Sequence, residues 1–260
     1  MHYDTLTLDQ TVDAEAALEF MKEATKLATT TQLDDVGDRL AEKGRLFADL
    51  LAPERIGDLD EEGMARLTAT IFSLRRKAGR LLRANSLERL RDGLTGLLYG
   101  EAPLAARFDR FVGAVEGVER GMAVALASEC LHFADPGRFW LWTHWIWNPA
   151  RGTGALALVT QKEAGLGVGG DGASDGEVYE QVGRAMAMVD AQGHAVGFSR
   201  SGRGLYGTDV FLACVYAVYM YTVFRVKLSQ EFNRILPELP ELVERVLGVH
   251  RREKSLERAD

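Results

Sequence analysis

Apolar residues recur three and four positions apart along most of the chain, and no stretch alternates apolar and polar positions as a strand does. That spacing puts apolar side chains on one face of a helix. The clearest case is Met64, Leu67, Ile71, Leu74, Ala78 and Leu81. Acidic Asp58, Asp60, Glu61 and Glu62 precede it and arginines close it, the order a helix dipole favours. Alanine- and leucine-rich stretches at 11–30 and 33–51 predict two earlier helices, with a capping turn at 31–34. Further helices are expected at 86–99, ended by Gly100, from Phe108 through Val115, at 121–133 and at 155–163. Ser174-Asp175-Gly176-Glu177 has capping-box spacing and predicts a helix to about Gln192. A long apolar helix is expected from Thr208 or Asp209 to about Leu236, and a short one at Leu242, Val243, Val246 and Leu247.

The expected fold is therefore all-α, a multi-helix globular protein of about ten helices with a buried, aromatic-rich C-terminal half. Glu101-Ala102-Pro103 is the candidate joint. It divides an N-terminal helical region with a basic helix (1–100) from a helical core domain (101–250). A charged tail (251–260) ends the chain.

Composition narrows the function classes. Of 260 residues, 47% are hydrophobic and 27% charged, as in soluble globular proteins. A net charge of −7 disfavours attachment to nucleic acid by bulk charge but leaves room for a local basic surface. Two cysteines, Cys130 and Cys214, make a disulfide framework unexpected and a cytoplasmic location the expectation. The N-terminus has no signal-peptide pattern, and the longest apolar run, 210–224, is too short to span a bilayer, so no membrane association is expected.

All four tryptophans lie in Trp140-Leu141-Trp142-Thr143-His144-Trp145-Ile146-Trp147. Such density means either a core plug or the wall of a site, as a cage, stacking platform or partner groove. The candidate ligand pocket comprises Trp140, Trp142, His144, Trp145, Trp147 and Tyr219. Tyr219 and Tyr216 come from the long apolar helix, expected to pack on this segment. His144 is the candidate donor or proton shuttle. Arg75, Arg76, Arg80 and Arg83, with Lys77, Arg89 and Arg91 nearby, form the candidate anion or nucleic-acid surface. Arg200 and Arg203 form a smaller cluster.

Glu129, Cys130, His132 and His144 are ligand types, but their spacing matches no zinc signature, and no second Glu-x-x-His completes a di-iron set. His132 is expected to be structural, and no metal is assigned. Gly165-x-Gly167-x-x-Gly170 follows no strand and opens no βαβ unit, so it is expected to be a surface loop or lid and no cofactor is assigned.

The run 121–139 resembles the core of helix-hairpin-helix DNA glycosylase-like proteins. In that family a glycine hairpin leads into a helix with an alanine–serine pair, here Ala127-Ser128. A triplet, here Leu131-His132-Phe133, and a proline turn at Pro136 come next. The resemblance implies a helical fold; excision of damaged bases is the family's usual activity. The chain departs from the pattern. Ala123 stands where the hairpin, begun at Gly121, has its second glycine, Ala125 falls near the catalytic lysine, and Thr143 falls near the catalytic aspartate. The resemblance thus implies a similar core without the glycosylase chemistry.

The leading expectation is a non-catalytic or cryptically catalytic binding protein with a degenerate glycosylase-like core that engages nucleic acid or another anionic partner. Two alternatives stay open. One is an adaptor that binds a protein partner through its aromatic surface, the other a small-molecule enzyme with a Trp/His-lined pocket. No catalytic residue is assigned.

Overall fold

The computed structural model describes residues 12–161, 172–196, 204–227 and 237–250. The glycine loop at 165–170, Arg200, Arg203 and the tail at 251–260 lie outside the described residues. The described residues form eleven α-helices with no sheet, only isolated bridges pairing Val12 with Thr160 and Asn148 with Thr153. None of these helices is long and apolar enough to cross a membrane.

The helices are α1 (Ala14–Leu27), α2 (Thr30–Leu50), α3 (Glu61–Ala69), α4 (Ala78–Ala84), α5 (Leu87–Tyr99) and α6 (Leu104–Ala114). They continue as α7 (Arg120–Ala134), α8 (Ala155–Val159), α9 (Asp175–Val196), α10 (Gly207–Lys227) and α11 (Leu239–Leu247). Caps explain many of the ends. Ser86 accepts from the Arg89 N–H at the start of α5, and Asp60 accepts from Gly63 at the start of α3. Ser174 and Glu177 make the reciprocal capping box of α9. The box of α2 is built by Thr29 and Gln32 rather than by 31–34.

One expected helix is broken, and that expected at 155–163 stops at Val159. The stretch 64–81 is broken into α3 and α4 by turns at 70–77, although Ile71 and Leu74 stay fully buried. The Thr70 carbonyl leaves the helical ladder to accept the Lys43 ammonium at 2.9 Å, and the Leu74 N–H bonds Ile71 instead. The tryptophan segment is irregular from 135 to 143, with a turn at 144–146.

α7 runs through the centre. Every residue from Ala123 to Phe133 is buried, because α2, α5 and α6 pack around it. An all-round apolar helix belongs in such a position. α10 packs on α1, α8, α9 and α11, and α6 on α5 and α9. One hydrophobic cluster takes side chains from both sides of the connection at 101–103.

Candidate ligand-binding site

A cavity of about 670 Å³ lies where the N-terminal end of α7, the tryptophan segment, α8 and α10 meet. Trp145, Tyr216, Tyr219 and Phe72 supply its aromatic wall. The Trp145 and Tyr216 rings stand 5.9 Å apart at 52°. His144 lies at the exposed edge, over Gly121 of α7. A Cβ on residue 121 would overlap the imidazole, so glycine is required for this approach. Burial lowers the His144 pKa below its ordinary value, partly offset by Asp175, and keeps the ring neutral near pH 7.

The wall also carries unmet polar groups. Ser73 Oγ, Thr143 Oγ1 and Asn148 Oδ1 are buried, line the cavity and have no protein hydrogen-bond partner. Buried polar atoms left unpaired cost free energy unless something else satisfies them. The loop from Asn148 to Gly154 shapes this side. Gly152 and Gly154 have φ of 60° and 135°, and a Cβ on Gly154 would overlap the Ile146 carbonyl.

Beneath lies a buried charge network. Glu129 of α7 lines the cavity, and its Oε2 accepts from Lys43 Nζ of α2 at 2.5 Å, both residues being 4% exposed. Lys43 also donates to the Thr70 and Leu247 carbonyls at 2.9 Å each. Burial pushes the Lys43 pKa down and that of Glu129 up, with mutual attraction opposing both. Three acceptors around one nitrogen suit an ammonium, which donates three times, and the facing Glu129 is then a carboxylate. One turn along α7, His132 bonds the Phe139 carbonyl through Nδ1 (2.8 Å) and Asp209 Oδ2 through Nε2 (2.9 Å). Glu129 and His132 therefore face separate partners, and no group able to hold a metal occurs among the described residues.

The cavity gathers His144, Trp145 and Tyr219 of the expected pocket but not its other tryptophans. Trp142 is fully buried, stacked on Phe108 at 6.0 Å, and donates Nε1–H to the Trp147 carbonyl. Trp147 is likewise in the core. Half-buried Trp140 faces other surface grooves, and its carbonyl accepts from Tyr179. The irregular segment thus places the four rings in different surroundings. Gly121, expected in a hairpin, lies inside α7; the preceding turn carries positive φ at Gly117 (77°). Ala125 and Thr143 both line the cavity.

Arg76, Arg80 and Arg83 are exposed and have no ion pair among the described residues. Arg75 lies with its guanidinium 5.2 Å from the Phe72 ring at the cavity edge. Arg89 pairs with Glu116 and Arg91 bonds the Leu59 carbonyl, so both are engaged elsewhere. Ser73, Asn148 and Glu129 were not foreseen as cavity residues.

No protein-family model, curated protein or solved structure matches the chain.

Proposed function

We propose that the chain is a helical binding protein that takes a nucleobase, presented by a single nucleic-acid strand, into the cavity beside α7. The observation that carries this reading is the adjacency of two features. The cavity offers an aromatic wall, and its edge at Phe72 and Ser73 continues directly into the exposed run Arg75, Arg76 and Lys77. Bases stack on aromatic side chains for about 1–3 kcal/mol each, while arginines hold phosphates. The resemblance to glycosylase-like proteins points the same way, since Ala125 and Thr143 line the cavity. Neither residue can supply an amine or a carboxylate, so the proposed role is binding without excision.

Fluorescence titration of the whole chain with a single-stranded oligonucleotide tests this reading. Three phosphate contacts give a salt slope near −2, so a rise from about 50 to about 200 mM salt weakens binding roughly twentyfold. Replacing Arg76 and Arg80 with alanine lowers affinity across sequences and flattens that slope. A salt-independent affinity, or one indifferent to both arginines, overturns the reading.

A further inference from the structure

We infer that the cavity selects a ligand bearing an amino group, with Glu129 as the specificity-determining acceptor and Lys43 as its positioning residue; this rests on the base-binding reading. Glu129 is the charged group at the buried end of the cavity. Lys43 occupies only its Oε2, and Oε1 has no hydrogen-bond partner among the described residues. A carboxylate accepts and never donates. Asn148 is an amide and carries both an accepting oxygen and a donating nitrogen. Thr143 and Ser73 offer hydroxyls that adapt to either role. The charged group at the buried end of the cavity is thus an acceptor, and the ligand edge that meets it is a donor.

An exocyclic amine on a planar heterocycle brings two N–H donors to that wall. A ligand without it leaves buried acceptors unpaired, and a carbonyl in its place sets oxygen against carboxylate. Trp145 stacks with any flat ring, so discrimination falls to the acceptors. Lys43 matters because it fixes the carboxylate: its three hydrogen bonds tie Glu129 to α2, to Thr70 and to the end of α11.

The test titrates the full chain with free nucleosides, read by tryptophan fluorescence. Adenosine is compared with purine riboside and guanosine with inosine, each pair differing by one amino group. At least one amino-bearing nucleoside is expected to bind about tenfold or more tightly than its counterpart, as sites built to satisfy a donor reject ligands lacking it. The double variant Lys43→Met with Glu129→Leu removes both charges together, which buried pairs tolerate better than loss of one. It is expected to bind the pair members within about twofold of each other. Equal binding within both wild-type pairs overturns this inference while leaving base binding intact, as does a preference that survives in the double variant. No binding of any of the four nucleosides overturns base binding and this inference together. The wild-type comparison decides the matter whether or not the double variant folds.

Discussion

His132 illustrates how a single buried side chain can carry a pH dependence. Burial acts most strongly on it and opposes charge. The Asp209 carboxylate and the Phe139 carbonyl together outweigh that effect, so its pKa is raised above 6.5. With Nδ1 donating to a carbonyl and Nε2 facing a carboxylate, the imidazolium is the form that satisfies both contacts. A raised folded-state pKa has one sign. The stabilisation is fully present below the unfolded value near 6.5 and is lost as pH rises through the folded value. Urea midpoints of the wild type and His132→Asn should therefore differ most at about pH 6 and converge as pH rises toward 9. A pH-independent difference would mean that the ring is neutral in the fold. The structural role of His132 was expected because its surroundings in the sequence match no metal-ligand spacing. Its partner was not, because Asp209 lies 77 residues away and read as a helix cap. Lys43 was hidden for the same reason. It sits among the ordinary charges of α2, and only the fold brings Glu129 to it.

At the scale of elements, the break between α3 and α4 shows where local periodicity loses to tertiary contact. Ile71 and Leu74 keep the buried positions that their spacing predicts, yet the backbone between them is not helical. The cause is distant: the Thr70 carbonyl serves Lys43, and Gly248, the left-handed cap of α11 with φ 75°, presses on that carbonyl. A Cβ at 248 would overlap the Thr70 oxygen. Gly248→Ala should cost roughly 1–3 kcal/mol of stability from the left-handed conformation alone, with the overlap adding to it. Because the displaced carbonyl is a Lys43 acceptor, the loss should be smaller in the Lys43→Met, Glu129→Leu background, and a double-mutant cycle by urea denaturation measures that difference. Strictly additive losses would separate the cap from the buried ammonium. The helices that matched their sequence pattern, α5, α9 and α11 among them, carry their own caps or breakers. Ser86 and Gly100 frame α5, Ser174 and Glu177 begin α9, and Pro240 lies in the first turn of α11. The tryptophan segment has no such local code. Its backbone groups are met by Ser128, Tyr179 and His132, which no reading of residues 135–147 by themselves reveals.

For the whole molecule, the question is whether residues 1–100 fold as a unit apart from the rest of the chain. The packing argues against such independence. α2 contacts α7, α10 and α11, α1 lies on α8 and α10, and the buried ammonium of α2 is held by Thr70, just past the end of α3, and by groups from α7 and α11. Removing either part would expose apolar faces and strand a buried charge, both destabilising by several kcal/mol. Cooperative unfolding should then be shared by probes that report on different regions. Helix content reports on the entire chain, tryptophan fluorescence on residues 140–147, and labelling of the buried Cys130 and Cys214 on the centre of α7 and of α10. All three should trace one transition in urea with the same midpoint. A loss of helix signal that precedes the fluorescence change and the labelling would instead mean that the N-terminal helices open first, as a unit of lower stability, in keeping with a division at residue 100.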